Sequence, residues 1–515
     1  MIGRESDSGA SAAAGDVLAV DLSSPLSVHL IGIGGAGMSS IATILLEMGH
    51  RVSGSDARES KTVESLRERG AAVFIGHARG QLANVDLVVR STAVSADNPE
   101  LLDAMENSVP VLNRRSFLPL LAAMTPLVSV SGTHGKTTTS SMTAVVLTSA
   151  GLDPSFLIGS HVHSLGSSAG HRPGRLMVLE ADESDGSFLA GPRAAAIVTN
   201  IEPDHLDYWG SWESLVDGFR RFLVETDGPR VICVDDPTLA ALRSDVDAIG
   251  YGFDRRADYR IVSYIEPTVS ADPTRVGVDT PNGHVEFDLW VPGRYNALNA
   301  TGALAVAEAL GSEQSLVAAG LESYRGVARR FEARGRAAGV DFVDDYAHHP
   351  TELRAVIGAA TSGRWNRVVG VFQPHRFTRT EALWEDFTRA FDSLDVLVVT
   401  DIYPAGERPR SGITGEALAA AIDAAADGVV VEYRPTLSEA AELLAGSVFA
   451  GPVSNWPASA DVAQLAGPAS APGILREGDL CLSLGAGDVT TIADRVIPML
   501  RGREVDGSGS GSKGP

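Results

Sequence analysis

The sequence predicts an α/β protein of three consecutive units, each with a parallel sheet packed between helices. Three observations lead to this fold class. The chain has 515 residues, which is too long for one ordinary core. Apolar strand-like runs alternate with helical segments. This alternation restarts at about Pro126 and again in "YRGVARRFEARG", residues 324–335. We therefore expect ligands to bind where glycine-rich or polar loops follow the carboxyl ends of strands.

The two restarts set the predicted domain limits. Pro126 is a natural stop for the segment before it, and the end of the chain, "GREVDGSGSGSKGP", has the glycine and serine content of a flexible linker. We predict three domains between two flexible ends, with the limits 1–25, 26–125, 126–328, 329–503 and 504–515.

Composition limits the kinds of binding partner and the cell compartment that we expect for this protein. The formal net charge of −23 excludes a long basic surface for nucleic acid, although a local basic pocket for phosphate remains open. Cys233 and Cys481 are the only cysteines, which favours a reducing cytosol over a disulfide framework or a zinc cluster. No apolar run is long enough to span a bilayer, and residues 1–25 lack the pattern of a secretory signal. We expect a cytoplasmic monomer or dimer with small-molecule substrates, no nucleic-acid partner and no integral membrane association.

The first unit begins with the strand "LSVHLIGI" and a glycine-rich turn. Gly32, Gly34 and Gly37 have the spacing G-x-G-x-x-G ahead of a helix, and Asp56 ends the next strand, "RVSGSD". A strand that turns tightly into a helix directs amides at a pyrophosphate, and an acid after the second strand can bind a ribose. Taken alone, this segment favours an NAD-dependent oxidoreductase, with an ordinary glycine turn of a doubly wound domain as the alternative.

A second glycine loop, in "VSVSGTHGKTTTSSM", carries the stronger signal. Gly132, Gly135, Lys136 and Thr137 lie between a buried strand and a helix. Amides of such a loop can hold phosphate oxygens, the lysine can neutralise a transferring phosphate and the threonine hydroxyl can bind Mg²⁺. The loop predicts a nucleoside triphosphate site, although Val130 stands where the general motif has its first glycine.

Two acid-containing loops of the same unit could complete a magnesium site. In "RLMVLEADESD" the strand ends at Glu180, and three more acids follow at Asp182, Glu183 and Asp185. In "AIVTNIEPDHLDYWG" the loop holds Asp204, His205 and Asp207. Oxygen ligands suit Mg²⁺, and a neutral imidazole can join a metal position beside a phosphate. We expect Glu180 to contact the metal; residues 182–185 could equally form a solvated loop, and His205 could equally be solvated or cap a helix.

A series of short motifs then occurs in order from residue 132 to residue 488: "GTHGKTT", "EADESD", "TNIEPDHLDYWG", "GRYNALNA", "GVARRFE", "DDYAHHP", "QPHRFTRT", "YPAGE" and "LGAGD". With "GIGGAGMS" ahead of them, these motifs cover nearly the whole chain except its two ends. The series resembles the Mur ligases, ATP-dependent amide-forming enzymes of peptidoglycan precursor synthesis. Three of the motifs, "GIGGAGMS", "GTHGKTTT" and "DDYAHHPTE", are most similar to the branch that adds L-alanine to UDP-N-acetylmuramate.

The resemblance implies a Rossmann-like N-terminal domain for UDP, a central P-loop ATPase domain and a Rossmann-like C-terminal domain for the amino acid, with ATP and Mg²⁺ as cofactors. The family's UDP contacts correspond to Gly34, Gly35, Ala36, Gly37, Asp56, His77, Ser91 and Thr92. Its ATP contacts correspond to Gly132, Thr133, His134, Gly135, Lys136, Thr137, Thr138, Asn296, Asn299, Arg330 and Asp344. The implied metal ligands are Thr137, Glu180 and His205, and the implied amino-acid contacts are Tyr346, His348, Arg376 and Arg379. Asn296 and Asn299 could instead cap and support their helix.

The implied reaction joins L-alanine to the lactyl carboxylate of UDP-N-acetylmuramate through an acyl phosphate and yields ADP and phosphate. Lys136, His348 and Arg376 are the expected catalytic residues. Lys136 would stabilise the transferring phosphate, and Arg376 would give the alanine carboxylate planar, paired contacts. His348 would assist loss of the amine proton, with His349 as the alternative. The run "HHP" could instead be a helix entry, with Pro350 in the first turn.

Two positions depart from the family pattern. Many Mur ligases carry a carbamylated lysine, directed toward magnesium, at about the position of Phe219. We expect none here, and the resemblance associates its absence with the alanine-adding branch. Tyr295 stands where "GRHN" is usual, which leaves the contact made at that position open.

Three other functions are alternatives to this one. A recycling ligase that attaches a ready-made tripeptide to the same sugar nucleotide shares nearly all the motifs. An NAD-dependent oxidoreductase leaves "GTHGKTT" and "DDYAHHP" unexplained. A non-catalytic nucleotide-binding regulator would give Glu180 and His205 no role.

Overall fold

The structure is a computed structural model that describes residues 20–91, 93–189, 191–266, 272–362, 365–446 and 473–508. Thr92 and most of the two predicted flexible ends, at 1–19 and 509–515, lie outside the described residues. The described chain forms three sheets with helices between their strands, which confirms the predicted α/β class. Among the described helices, none is both long enough and apolar enough to cross a membrane.

The N-terminal domain is a five-stranded parallel sheet. Its strands are β1 (Ser27–Ile31), β2 (Arg51–Asp56), β3 (Ala72–Ile75), β4 (Leu87–Arg90) and β5 (Val111–Asn113). Its helices are α1 (Ala36–Glu47), α2 (Lys61–Glu68), α3 (Pro99–Glu106) and α4 (Arg114–Met124). The strand order is β3-β2-β1-β4-β5, and all neighbours are parallel. The order reverses beside β1, so the glycine loop that follows β1 opens at the crevice where such sheets bind ligands.

The central domain has a ten-stranded sheet. Its strands are β6 (Leu127–Ser131), β7 (Ser155–Val162), β8 (Ser167–Gly170), β9 (Met177–Glu180), β10 (Arg193–Val198), β11 (Arg230–Cys233), β12 (Ile249–Gly252), β13 (Tyr259–Ile265), β14 (Thr274–Thr280) and β15 (Gly283–Leu289). Its helices are α5 (Lys136–Ser149), α6 (Leu206–Trp209), α7 (Trp212–Val224), α8 (Pro237–Val246), α9 (Arg294–Ala309) and α10 (Gln314–Ser323). The strand order is β15-β14-β13-β12-β11-β10-β6-β9-β7-β8. Because β6 lies parallel between β9 and β10, the loops after these three strands meet at one edge.

The C-terminal domain has a six-stranded sheet. Its strands are β16 (Glu332–Ala337), β17 (Val340–Asp345), β18 (Arg367–Phe372), β19 (Val396–Val399), β20 (Val430–Tyr433) and β21 (Asp479–Leu484). Its helices are α11 (Pro350–Ala360), α12 (Phe377–Ala382), α13 (Trp384–Phe387), α14 (Gly415–Ala425), α15 (Leu437–Ala445) and α16 (Ile492–Ser508). The order is β16-β17-β21-β18-β19-β20, with only the β16–β17 pair antiparallel among these neighbours. Helix α16 continues into the segment 504–515 that the sequence predicts as a tail.

The described residues divide into two compact units. In the first unit, one hydrophobic core joins the N-terminal and central domains, because Leu45 of α1 lies in the same cluster as Leu127 of β6 and Leu157 of β7. Both glycine loops therefore belong to one packed body. The second unit contains the C-terminal domain from Gly326 onwards and the first turn of α9 through Asn296.

Candidate active site

The central glycine loop, residues 132–135, leads from β6 into α5. Gly132 has φ +133°, and a Cβ at this position would collide with the Thr199 hydroxyl. Gly135 caps α5 with φ +82°, and a Cβ there would lie 2.8 Å from the side-chain oxygen of Asn299. Both glycines are required because the loop passes close to neighbouring residues in left-handed conformations.

Asn200, just after β10, fixes the two residues in the middle of this loop. Its backbone carbonyl accepts a hydrogen bond from the Thr133 amide at 3.1 Å, and its side-chain oxygen accepts from the His134 amide at 2.8 Å. The Thr133 hydroxyl accepts in turn from the Glu202 amide at 2.8 Å. Thr133 and His134, both predicted ATP contacts, are thus held by the loop after β10.

Lys136 begins α5 and folds back onto the loop. Its ammonium donates to the carbonyls of Gly132 and Thr133 at 2.7 and 3.1 Å, and Glu183 Oε2 and Oε1 lie 2.9 and 3.0 Å from it. Burial disfavours the charged ammonium, but the surrounding carboxylates, Glu183 foremost, outweigh burial and raise the pKa of Lys136. Lys136 therefore remains a cation inside the loop.

Thr137 and Glu180 bring two oxygens together next to Lys136. The Thr137 hydroxyl donates to Glu180 Oε1 at 2.7 Å, and Glu180 Oε2 accepts from the Gly159 amide at 2.5 Å. A hydroxyl and a carboxylate beside a phosphate loop are the kind of oxygen donors that Mg²⁺ prefers. These residues fit a magnesium ion, and the structure brings together two of the three predicted ligands.

The third predicted ligand, His205, occupies the N-cap position of the short helix α6 and has φ +54°. Its Nε2 is 3.5 Å from Asp204 Oδ2, and its amide donates to Asp204 Oδ1 at 2.8 Å. His205 therefore stands at a helix start beside an acid, but its side chain makes no capping hydrogen bond to the helix. Its role at the metal stays a prediction.

The two asparagines of α9 have different surroundings. Asn299 accepts a hydrogen bond from the Thr139 hydroxyl at 3.0 Å and faces Gly135 of the glycine loop. Asn296 Nδ2 donates to the Pro292 carbonyl at 2.7 Å, across the start of the helix. Asn299 thus lies beside the phosphate loop, whereas Asn296 supports the helix entry, as the alternative interpretation predicts for it.

The N-terminal glycine loop is bonded to the end of β2. The amides of Gly32 and Ile33 donate to the Ser55 carbonyl at 2.8 and 3.0 Å, and the Gly34 amide donates to Asp56 Oδ2 at 2.9 Å. An added Cβ on Gly34 would also lie 2.9 Å from this carboxylate. Asp56 therefore lies beside the loop, as predicted, and one of its oxygens holds the loop in place.

A positive charge lies against the start of α1. Ala36 and Gly37 form its first turn, whose amides have no carbonyl partner within a helix. An added Cβ on Gly37 would be 3.4 Å from Nη1 of Arg114, the first residue of α4. Within the described chain, Arg114 Nε is buried and has no hydrogen-bond partner. The guanidinium thus adds charge to an amide-lined turn.

His77 and Ser91 border the same loop. The Ser91 amide donates to the Ile31 carbonyl at 3.0 Å, and an added Cβ on Gly32 would lie 3.1 Å from Ser91 Cβ. His77 follows β3, and its Nδ1 is 3.0 Å from Ser55 Oγ. The predicted UDP contacts that the structure describes are therefore brought together at the carboxyl ends of β1 to β4; Thr92 lies outside the described residues.

In the C-terminal domain, Tyr346 lies under two arginines. The guanidinium carbons of Arg329 and Arg330 are 4.8 and 5.1 Å from its ring centroid. Arg330 also pairs with Glu352 at 3.6 Å, and Arg329 donates to carbonyls of residues 485–487 at 2.8 to 3.3 Å. Arg330, a predicted ATP contact, and Tyr346, a predicted amino-acid contact, thus share one cluster.

Asp344, a further predicted ATP contact, is fully buried. Its Oδ1 accepts from the Ser483 hydroxyl at 2.7 Å, its Oδ2 accepts from the Thr490 hydroxyl at 2.6 Å, and Arg329 Nε lies 3.6 Å from Oδ2. These contacts are internal to the domain and help to hold Arg329. A contact with ATP stays a prediction.

His348 is a partly buried imidazole. Its Nδ1 is 2.9 Å from the Tyr346 carbonyl, which can only accept, so Nδ1 carries the proton and Nε2 the lone pair. Burial is the main cause that lowers the pKa of His348 to about 4, and Arg379 adds to it against the opposing charge of Glu352. The neighbouring ring of His375, 5.9 Å away between centroids, has its pKa lowered to about 4, again chiefly by burial. Both rings are uncharged at neutral pH, the state that a proton acceptor needs.

His349 caps helix α11. Its Nδ1 accepts from the Thr351 amide at 3.4 Å, while Glu352 Oε2 accepts from the His349 amide at 3.4 Å. Pro350 occupies the first helical position. The helix-entry interpretation of "HHP" is therefore confirmed for His349 and Pro350, while His348 keeps its ring beside Tyr346.

Arg376 and Arg379 lie at the start of α12. Arg376 is the N-cap residue with φ +71°, a strained conformation for a residue with a side chain, and its amide donates to the Tyr403 carbonyl at 2.9 Å. Arg379 Nη1 donates to His375 Nδ1 at 3.3 Å, and the His375 ring stacks on Tyr403 with centroids 5.6 Å apart. Arg379, His375 and His348 therefore form one cluster, and Arg376 begins the same helix.

The two positions that depart from the family pattern both have apolar neighbours. Phe219 is fully buried in α7, with its ring centroid 5.1 Å from that of Phe188. Tyr295 is partly buried and packs against the hydrophobic core of the C-terminal domain. The contacts at Tyr295, which the sequence leaves open, thus include packing on this core.

Four residues at these sites were not predicted as contacts: Arg114, Glu183, Asn200 and His375. Glu183 and Asn200 directly follow predicted strands, so their position after a strand end was a usable signal. Arg114 and His375 also follow strand ends, those of β5 and β18, but only the folded chain brings them to the glycine loop of another element or to His348.

The fold and the loops define a three-domain α/β protein with a phosphate-binding loop in its central domain. Three family descriptions match consecutive parts of the chain. They are the Mur ligase family, catalytic domain, at residues 27–125, the Mur ligase middle domain at 130–307, and the Mur ligase, glutamate ligase domain at 329–453. The chain belongs to the Mur ligase family.

Similar proteins match over nearly their whole length. The UDP-N-acetylmuramate--L-alanine ligase of Anaeromyxobacter sp. (strain Fw109-5) is 42% identical over 486 residues, which cover 93% of this chain and 98% of that protein. The ligase of the same name from Geotalea uraniireducens (strain Rf4) is 39% identical over 479 residues, which cover 92% and 98%. The similarity therefore includes all three domains.

Solved structures agree with this assignment. The crystal structure of a UDP-N-acetylmuramate-alanine ligase, MurC, from Thermotoga maritima has a TM-score of 0.74 at 27% identity and covers 93% of this chain and 100% of that chain. A murein peptide ligase from Psychrobacter arcticus 273-4 has a TM-score of 0.62 at 20% identity, covers 92% and 98%, and shows the shared fold alone.

Proposed function

We propose that this chain joins L-alanine to the lactyl carboxylate of UDP-N-acetylmuramate, with ATP and Mg²⁺, in peptidoglycan precursor synthesis. The observation that carries the proposal is the central loop, where Lys136 is a partly buried cation next to the Thr137 and Glu180 oxygens. Loops of this kind serve phosphoryl transfer. Relatives 42% and 39% identical over nearly the whole chain carry the name of this ligase, which supports the choice of the two substrates.

The first step activates the carboxylate, whose oxygen is otherwise a poor leaving group. A carboxylate oxygen attacks the γ-phosphorus of ATP, the bond from that phosphorus to the bridging oxygen breaks, and ADP leaves behind an acyl phosphate. Lys136 and the amides of residues 132–135 would stabilise the charge that spreads over the γ-phosphate oxygens. Thr137 and Glu180, with His205 as the proposed third ligand, would hold Mg²⁺, which neutralises phosphate charge when bound.

The second step forms the amide bond. The alanine amine attacks the acyl carbon, phosphate leaves from the tetrahedral intermediate, and the nitrogen loses a proton. His348 is the proposed acceptor, because its Nδ1 proton is directed to the Tyr346 carbonyl and Nε2 carries the lone pair. With a pKa of about 4, His348 is a weak base, so it takes the proton once the attack has made the nitrogen acidic.

Arginines and loop amides account for the binding of the charged ends of the substrates. Arg376 and Arg379 suit the alanine carboxylate, since guanidinium groups give it planar, paired contacts. The N-terminal loop suits the UDP pyrophosphate, with Arg114 as an additional cation. The further proposed contacts for ATP are Thr133, His134, Thr138, Asn296, Asn299, Arg330 and Asp344, and those for UDP are Asp56, His77, Ser91 and Thr92. The cytoplasmic location and the monomeric or dimeric state stay predictions.

Release of inorganic phosphate tests the proposal. The full chain is incubated with ATP, Mg²⁺ and UDP-N-acetylmuramate, and L-alanine, glycine, L-serine, a cell-wall tripeptide or no acceptor is added. We expect release that depends on L-alanine, together with the alanylated nucleotide in a mass spectrum. Release that depends only on the tripeptide would assign the recycling reaction instead, and no acceptor-dependent release would contradict the proposed ligase activity.

A further inference from the structure

Glu100 is a fully buried acid in the N-terminal domain, and the proposed reaction gives it no role. Its exposed fraction is 0%. It occupies the second position of α3 in "NPE", where Asn98 caps the helix and accepts from the Glu100 amide at 2.9 Å. The start of a helix stabilises a negative charge, but a buried carboxylate without hydrogen-bond partners would be destabilised.

Three side chains surround this carboxylate. The Ser55 hydroxyl donates to Glu100 Oε2 at 2.6 Å, and His77 Nδ1 lies 3.1 Å from the same oxygen. On the other side, Nε2 of the fully buried His29 is 3.5 Å from Glu100 Oε1. Burial alone would raise the pKa of Glu100, but the contacts with His29, Ser55 and His77 outweigh burial and lower it. Glu100 is thus an ionised carboxylate between two histidines.

An ionised carboxylate determines which nitrogen of His77 carries the proton. A carboxylate can only accept hydrogen bonds, and the Ser55 hydroxyl already donates its hydrogen to Glu100. A lone pair on His77 Nδ1 would therefore face two oxygens, at 3.0 and 3.1 Å, neither of which could donate to it. Nδ1 must carry the proton, so in the neutral ring Nε2 carries the lone pair.

The same residues connect His77 to the N-terminal glycine loop. Ser55 bonds Glu100 and His77 through its side chain, and its carbonyl accepts the amides of Gly32 and Ile33. The His77 side chain is 25% exposed, whereas Glu100 is not exposed at all. His77 is therefore the member of this network that a ligand at the loop can reach.

We propose that Glu100 is a positioning residue for the uridine end of the nucleotide substrate and acts by presenting His77 Nε2 as a hydrogen-bond acceptor. This inference rests on the proposed function, which supplies the uridine nucleotide. Uridine offers two kinds of donor to such an acceptor, the N3–H of uracil and the ribose hydroxyls. Cytosine has no N3–H and a 2′-deoxyribose lacks one hydroxyl, so CMP and dUMP separate the two kinds of donor from UMP.

A double-mutant cycle tests whether Glu100 acts through His77. Dissociation constants for UDP-N-acetylmuramate and UMP are measured by calorimetry for wild type, Glu100→Met, His77→Ala and the double variant. We expect Glu100→Met to weaken binding about tenfold in wild type, as for a charge-assisted hydrogen bond, but less than twofold in the His77→Ala background. Glu100→Gln keeps an acceptor and should recover most of the affinity, and KM for ATP and L-alanine should not change. Glu106→Met, on the exposed end of the same helix, is the matched control.

Equal losses in both backgrounds, or no loss in wild type, would overturn the proposal. If Glu100→Met does not fold, nitrogen NMR of histidine-labelled wild type decides, because the His77 resonance, assigned by its loss in His77→Ala, must show the Nδ1–H form. An Nε2–H form would overturn the proposal as well. The wild type could make no alanylated product but still bind UMP, with the losses of affinity that the double-mutant cycle predicts. That result would refute the ligase function and leave this inference standing.

Discussion

The N-terminal and central glycine loops share the order of strand, glycine loop and helix but differ in side-chain chemistry. Each follows a parallel strand, passes through a glycine with positive φ at Gly32 or Gly132, and enters a helix capped by Gly35 or Gly135. The central helix then begins with a lysine and a threonine, whereas the N-terminal helix begins with an alanine and a glycine. The order of strand, glycine loop and helix therefore does not distinguish the two sites, although Gly35 is extended and Gly135 is left-handed.

The side chains beside a glycine loop distinguish a loop that only binds a phosphate from one that can transfer it. Loop amides and a helix N-terminus suffice to bind a diphosphate that does not react. Transfer also requires charge that stabilises the transition state more than the ground state. In the proposed reaction Lys136, Thr137 and Glu180 would supply that chemistry in the central loop, while the cation against the N-terminal loop, Arg114, comes from another helix. We therefore infer the chemistry of a glycine loop from the side chains in the first helical turn after it and at the ends of the neighbouring strands.

Removal of the central cation should have the largest effect. Lys136→Ala should lower kcat for alanine-dependent phosphate release by about 10³-fold or more, because the developing phosphate charge loses its positive partner. Binding of UDP-N-acetylmuramate, measured by calorimetry, should not change. Lys61→Ala, at the exposed start of α2, is the control. Activity within tenfold of wild type would remove the distinction between the loops.

Removal of the proposed metal carboxylate should have the next largest effect. Glu180→Gln keeps the shape of the side chain but weakens a hard-oxygen ligand, so we expect about a hundredfold loss of kcat at fixed Mg²⁺ and a higher Mg²⁺ concentration for half-maximal rate. A titration of activity with MgCl₂ measures both. Glu68→Gln on α2 is the control, and an unchanged titration curve would exclude Glu180 as a ligand.

The interior of each sheet could be predicted from the sequence, whereas some edge strands could not. β6, β18 and β21 are buried along nearly their whole length and therefore appear as apolar runs, "LVSVS", "RVVGVF" and "DLCLSL". Edge strands have one side without a neighbouring strand, so their sequences carry a weaker signal. β16, with the sequence "EARGRA", is partly exposed and has no apolar alternation, so its residues do not predict a strand.

The candidate sites could be predicted where their residues are contiguous. Lys136 and Thr137 belong to the glycine motif after their strand, and Glu180 ends the neighbouring strand. One motif and one strand end were therefore enough to predict that these residues lie together. Glu100 and Arg114 belong to helices that follow other strands, and only the order β3-β2-β1-β4-β5 brings them to the N-terminal loop. Spacing along the chain contains no information about such contacts.

A third test compares the same substitution in both loops. Gly132→Ala introduces a Cβ at φ +133° that would collide with Thr199, whereas Gly32→Ala needs the milder φ +79° and a small shift of Ser91. We expect Gly132→Ala to lower the free energy of unfolding by about 2 kcal/mol more than Gly32→Ala. Urea unfolding of the full chain, with and without ATP, measures the difference. Equal losses would show that the two loops tolerate strain alike.

The smallest expected effect concerns the cation of the N-terminal loop. Arg114→Ala removes a guanidinium that lies against the first turn of α1, so KM for UDP-N-acetylmuramate should rise about tenfold, the value of one charge-assisted hydrogen bond. KM for ATP and kcat should change little, because the proposed phosphoryl transfer takes place at Lys136 and not at Arg114. Arg79→Ala, which breaks an exposed ion pair with Glu106 in the same domain, controls for the lost charge. If Arg114→Ala lowers kcat instead of raising KM, Arg114 acts on the transferring phosphate, and the two loops would share a task that their side chains otherwise divide.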